Sequence, residues 1–250
     1  MKIPKELEDL EQPLKTLHAC GNEDLLKRRK VSIVGARKTL AYSKNIITQL
    51  SIALYKRGVV TVSGGAMGID AAAHSGAKDL TIAVMANGLD IIYPKVNQHL
   101  LLDIKKNALM LSEYEEGYKA TKYSFVHRNR IVVALGEVLV VGEADLGSGS
   151  MKSIEYALKT KTPIYVIPHR LGESLATQEL LTNNQATLIT DIDSFADQFG
   201  EVQEQNEDSF LTFCKNSPTY EEAMSIDPQR VFELELSGAI SIVNGRIILQ

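Results

Sequence analysis

From Val31 to about Asp193, short β-branched runs alternate with stretches whose apolar positions recur every three or four residues. Val31–Val34, Val59–Val62, Thr81–Ala86, Leu109–Leu111, Val138–Val141 and Ile164–Ile167 read as strands, with a weaker one at Thr187–Ile189. Helices are predicted over Ala41–Lys56, Met67–Ala77, Asn97–Lys106, Ser124–Leu135, Ser150–Lys159 and Ile192–Phe199. In the first of these, Ile46, Ile47, Leu50, Ala53 and Leu54 share one face, and Gly58 follows as a C-terminal cap. Apolar strands alternating with amphipathic helices imply an α/β fold, an extended Rossmann-like and mostly parallel sheet with helices on both faces.

The two ends of the chain read differently. Residues 1–30 are polar and mixed, with Pro4 and Pro13, and read as an N-terminal extension. Their basic run, Lys27–Lys30, could touch DNA but reads first as a solvated face. Residues 200–209 are acidic and poor in apolar surface, the composition of a linker. Residues 210–250 then show a helix from Tyr220, an N-cap at Asp227 with Pro228 at the first helical position, and a hairpin around Asn244–Gly245. That order predicts a small winged-helix-like C-terminal domain. Residues 31–199 remain as the Rossmann-like domain.

Charge adds a limit. The chain has 250 residues and a net charge of −4, so it is not coated in positive charge, though a local basic pocket remains open to it. Cys20 and Cys214 lie far apart without ligand-like spacing and read as free thiols in a reducing compartment. No apolar run approaches a membrane span and no signal-peptide pattern opens the chain, so the expectation is a cytoplasmic protein without a membrane partner.

Three strand-to-loop turns carry the candidate chemistry: Gly35–Arg37, Ser63–Asp70 and Gly147–Ser150. In a parallel sheet all three reach the carboxyl edge, where such folds bind ligands. The Ser63-Gly64-Gly65 turn into a helix is expected to aim backbone N–H groups at an anion. Arg37 offers a planar fork of donors for a phosphate. The first loop has one glycine only, and none of the loops ends in Gly-Lys-Ser/Thr, so NAD and ATP have little support and no cofactor is expected. Lys122–Arg130 interleaves cations with Tyr123 and Phe125, suited to phosphates and bases, or else a helix start with Phe125 packed inward. Arg130 best fits a buried arginine holding the neighbouring loops. Asp70, Asp90, Glu113, Glu143 and Asp145 are scattered, so no metal site is expected, and His74, His99, His127 and His169 read as surface or capping residues. Ser148 and Ser150 lack a convincing base and suit a phosphate contact or a helix cap.

Together these residues resemble the DNA-processing protein A family (DprA, also called Smf). The matching pieces occur in order. They are Val-Gly-Ala-Arg ending at Arg37, then Ser63–Asp70 with His74, and Gly88–Asp90 with Tyr93–Pro94 and Asn97. Ser112–Glu113, Phe125 with Arg128–Ile131, and Glu143–Ala144 with Gly147–Ser150 follow. They span roughly residues 31–168. The chain departs from the family at Pro168, followed by His169 rather than glycine, and over 173–185, where an Asn/Gly-rich segment is replaced. The resemblance implies a non-catalytic, dimeric protein. It would bind single-stranded DNA during natural transformation, protect it, and load RecA recombinase onto it. Duplex DNA or a protein partner stays open for the tail. By resemblance and residue type, the DNA-binding candidates are Arg37, Ser63, Gly64, Gly65, Lys122, Phe125, Arg128, Asn129 and Ser148. The competing expectation is a nucleoside-monophosphate phosphoribohydrolase-like enzyme using Glu155 with Arg37. A third is an adaptor with no nucleic-acid contact.

Overall fold

The computed structural model describes residues 1–203 and 209–249. The chain divides into two compact units, Met1–Gln203 and Glu204–Gln250.

The first unit runs β1 (His18–Gly21), β2 (Lys30–Val34), α1 (Ala41–Lys56), β3 (Val60–Ser63), α2 (Ile69–Ala77), β4 (Thr81–Met85), α3 (Gln98–Asn107) and β5 (Leu109–Ser112). It continues through α4 (Lys122–Leu135), β6 (Leu139–Val141), α5 (Ser150–Thr160), β7 (Ile164–Val166), α6 (Leu175–Thr182), β8 (Thr187–Leu188) and α7 (Ile192–Ala196). The strands form one eight-stranded sheet in the order β1-β5-β4-β3-β2-β6-β7-β8. All neighbours are parallel except β1 on β5. From β2 the chain builds outward through β3, β4 and β5, then returns to add β6 on the other side. The gap between β2 and β6 is therefore the switch point, where the flanking loops diverge and leave a crevice.

The sheet is apolar on both faces because helices cover both. Val31 and Ile33 of β2 join a core with α1, α2 and α7, through Ile47, Leu50, Leu54, Ile69, Ala73 and Phe195. Val34, with Val60 and Val62 of β3, joins a second core with α3, α4, α5 and α6. The sheet and helices follow the sequence pattern closely, and α1 has the predicted bounds. Helix α2 starts two residues later than expected. Gly68 is its N-cap at φ +79°, and a Cβ there would stand 2.2 Å from the Ala36 carbonyl oxygen. The backbone must turn hard there, beside the first loop, before the helix can begin.

Three expectations need correction. Residues 1–30 are not a separate extension: β1 pairs antiparallel with β5, and Leu7, Leu10, Leu14, Leu17 and Leu25 are buried in the second core. The basic run is not simply solvated. Lys30 is buried against Glu6 (2.8 Å), and Arg29 pairs with Glu137. The segment after Pro168 holds a helix, α6, that the sequence pattern does not predict.

The expected linker lies partly outside the described residues. Its first part, up to Gln203, still bonds to the first unit, the Gln203 N–H donating to the Lys56 carbonyl at 2.8 Å. The second unit holds α8 (Ser209–Cys214), α9 (Tyr220–Ile226), α10 (Pro228–Leu236), and a hairpin of β9 (Ile240–Val243) and β10 (Arg246–Leu249). Thr219 and Glu222 form a capping box on α9, and the Asp227 carboxylate caps α10 ahead of Pro228. Phe210, Cys214, Ala223, Val231, Leu234, Ile240 and Ile247 make its core. No helix among the described residues is long and apolar enough to cross a membrane.

Candidate functional site

A cavity of about 700 Å³ opens at the switch point. Its walls come from the loops after β2 and β6, the loop after β3, and the first turns of α4 and α5. Of the candidates, Arg37, Gly64, Lys122, Phe125, Arg128, Asn129 and Ser148 line it. Ser63 and Gly65 do not. They lie fully inside, Ser63 Oγ donating to the Ile33 carbonyl at 2.7 Å.

The rim carries exposed cations and rings. Arg37 extends from the loop after β2 and sets its guanidinium 4.8 Å from the Phe125 ring centroid, a cation–π contact. Phe125 is half-buried, so the inward-packing reading of that ring holds only in part. Tyr93 stands 6.0 Å from it across the mouth. Thr121 caps α4 through the Ser124 N–H, and the Ser124 hydroxyl answers the Thr121 N–H at 2.8 Å. That box fixes the helix start and with it Lys122 and Phe125. Ser148 Oγ, from the loop after β6, is shielded from solvent with no hydrogen-bond partner among the described residues.

The floor is built from buried charge. Arg128 is 3% exposed, and its Nη1 donates to the carbonyls of Gly64 and Val84. The guanidinium presses on Gly64 so closely that a Cβ there would lie 2.5 Å from Cζ. Asp70 lies beside it. Burial pushes the Asp70 carboxyl above its ordinary value, and the Arg128 charge pulls it back. Burial drives Arg128 the other way, below its ordinary value, with Asp70 opposing. Arg130 is buried as expected and braces the loop after β5, and Arg128 is a second buried brace, on the loop after β3. Arg130 pairs with Glu113 through two hydrogen bonds of 2.8 and 2.7 Å.

The N–H cradle expected of the Ser63–Asp70 loop is already filled. Asp70 Oδ2 accepts from the Ala66 N–H at 3.2 Å, and His74 Nε2 accepts from the Gly65 N–H at 3.2 Å. Asn97 Nδ2 holds the Gly65 and Ala66 carbonyls. Asp70 occupies the place an external anion would take. His74, expected at the surface, is fully buried. Thr81 Oγ1 gives its proton to the Thr61 carbonyl, so His74 Nδ1 donates to Thr81 and Nε2 is the acceptor. Burial, helped by the Arg128 charge, lowers the His74 pKa to about 3 and keeps the ring neutral.

The other carboxylates serve local structure. Asp90 accepts from the Gly117 N–H, Asp145 from the Leu175 N–H, and Glu143 from Thr39 and Leu40. No group of three or more His, Cys, Asp or Glu is placed to hold a metal ion among the described residues. Glu155 pairs with Lys152 on the exposed side of α5 and does not line the cavity, so the enzyme reading loses its key residue. The sequence pattern shows neither Tyr93 as a ring at the mouth nor His74 as a buried neutral group. Tyr93 sits in an aperiodic loop, and His74 is recognisable only from partners on other elements.

Comparison with known proteins gives these features a family. A solved structure of DNA processing protein A from Helicobacter pylori superposes with a TM-score of 0.78 at 42% identity, covering 79% of this chain and 93% of that one. That work describes a single-stranded DNA binding mode for the H. pylori protein. The Streptococcus pneumoniae DprA structure gives a TM-score of 0.73 at 34% identity, covering 80% of this chain and 71% of that one. A putative DprA of Mycobacterium tuberculosis is 34% identical over 185 residues, 72% of this chain but 48% of that protein, so the chain spans about half its length. The family model for DNA recombination-mediator protein A matches residues 1–200, which include β1 and the whole cavity. The chain belongs to the DNA recombination-mediator protein A family, the DprA/Smf proteins.

Proposed function

We propose that this chain binds single-stranded DNA in the switch-point cavity, protects it in the cytoplasm during natural transformation, and delivers it to RecA as a dimer. The observation that carries the reading is the rim, where Arg37 and Lys122 flank the half-open ring of Phe125 on one cavity. Cations neutralise phosphates and a ring stacks a base, which is how single strands are held without sequence readout. The single-strand binding of the H. pylori relative supports the same ligand. The unpartnered Ser148 hydroxyl adds a donor for a phosphate oxygen.

The second unit, three helices and then a hairpin, is read as winged-helix-like. Its described residues carry Lys215, Arg230 and Arg246 against Glu221, Glu222, Asp227, Glu233 and Glu235. That acidic balance favours a protein partner over duplex DNA.

A titration of labelled oligothymidylate at several salt concentrations tests the cavity. Each lost phosphate contact flattens the log–log salt dependence by about 0.7 for single strands. Arg37→Ala combined with Lys122→Ala is expected to bind much more weakly, with a slope shallower by about 1.4. A double variant that binds like the wild type overturns the reading. Light scattering at micromolar concentrations checks the dimer, and a strictly monomeric mass refutes it.

A further inference from the structure

We infer that the bound strand leaves the cavity over the start of α4 and stacks a further base on Tyr123, a second platform outside the cavity. The inference rests on the proposed single-strand binding and extends its footprint. Tyr123 lies in the first turn of α4 between Lys122 and Ser124, and it is 66% exposed. Two residues of helix turn the chain through about 200°. Phe125 therefore faces the cavity while Tyr123 faces the outer flank of the same turn.

Single exposed aromatics are ordinary on protein surfaces. Tyr123 differs because its ring is held in place without being buried. His127, one turn on, stacks against it with centroids 5.1 Å apart and planes 18° from parallel. His127 is fixed in turn, its Nε2 3.5 Å from Glu113 Oε2, and Glu113 is gripped by Arg130. Beside this pair, Tyr114 and Tyr118 stack at 4.3 Å, 11° from parallel. Tyr114 follows Glu113 in the chain, so the contact of Glu113 with His127 brings the two stacked pairs together. An oriented ring with a solvent-facing side loses little freedom when a base lands on it. Exposed Lys119 and Lys122 lie on the segment that carries the two pairs, and neither is in a salt bridge among the described residues. They supply the charge for the phosphates of a strand passing between the two rings.

Two lengths of oligothymidylate separate this platform from the cavity. About 4 and about 16 nucleotides bracket the usual site sizes for single strands. Tyr123→Ala is expected to weaken the long oligomer by roughly 5- to 150-fold, the range for loss of one stacked base, and the short one by less than about twofold. The salt slope stays that of the wild type, because stacking releases no counterions. Tyr123→Phe keeps wild-type affinity for both lengths. The chain has no tryptophan, so Tyr123→Trp creates a single indole reporter. Its emission is expected to be quenched by the long oligomer and not by the short one. Wild-type affinity of Tyr123→Ala for the long oligomer overturns the platform and leaves the cavity reading standing. Equal weakening of both lengths also overturns it, since Tyr123 would then act through the cavity. A wild-type chain that binds neither length overturns the proposed function itself.

Discussion

The floor and the rim of one cavity use the same residue types for opposite purposes. On the floor, Arg128 is buried against Gly64 and Val84 carbonyls with Asp70 alongside, so its charge is consumed inside the protein. On the rim, Arg37 is exposed and rests on Phe125 with its donors turned to solvent. The glycine-rich loop between them is closed to outside anions because Asp70 and His74 hold its N–H groups. The lesson is that a motif resembling a phosphate cradle can be built around an internal carboxylate. Under the proposed function, an external ligand is left to the side chains at its edge.

Four measurements sharpen or break that contrast. The largest effect is expected on the floor. Arg128→Ala leaves the buried Asp70 uncompensated and two carbonyls unpaired, costing about 3–5 kcal/mol of stability in urea unfolding. An Arg128 variant that folds like the wild type and loses only DNA affinity erases the distinction. Next comes acid. The unfolded chain takes up a proton on His74 near pH 6.5, while the folded one resists until about 3. This contribution is fully present above pH 6.5, and the folded state loses about 1.4 kcal/mol per pH unit as pH falls from there to about 3. His74→Gln is expected to remove one proton from that pH slope, and an unchanged slope refutes the buried neutral ring. Gly64→Ala drives a methyl into the Arg128 guanidinium and is expected to cost about 1–3 kcal/mol of stability. The mildest change for the fold is Phe125→Ala, expected to cost about 1–3 kcal/mol of single-strand binding with the salt slope unchanged. Loss of fold before loss of binding in that variant assigns the ring to the core.

The rim is legible in the sequence because its signal is local. Lys122 and Phe125 lie within one helical turn, and Arg37 follows a clear strand. The floor was harder. Arg128 and Arg130 stand two apart on α4, about 200° around the helix, and no local pattern tells which one faces the sheet edge. Only the positions of Gly64 and Glu113, brought in by β3 and β5, settle it. The same holds for the N-terminus. Strand β1 has no alternation of its own and is defined by its pairing with β5, some ninety residues along the chain. The leucines ahead of it, at 7, 10, 14 and 17, do recur every three or four residues, a signal outweighed by the surrounding charges. Helix α1 was legible in full because one buried face runs through all its turns.

The position of β2 has a consequence for the growing polypeptide. One neighbour, β3, follows within thirty residues, but the other, β6, emerges more than a hundred residues later. The Arg37 side of the crevice can therefore be in place while the Ser148 side has yet to be synthesised. Closing so long a loop is entropically slow. A nascent chain halted before β6 already holds Arg37, Lys122 and Phe125 but lacks the wall that carries Ser148. The cavity is complete only once β6 has paired with β2, Ser32 opposite Leu139.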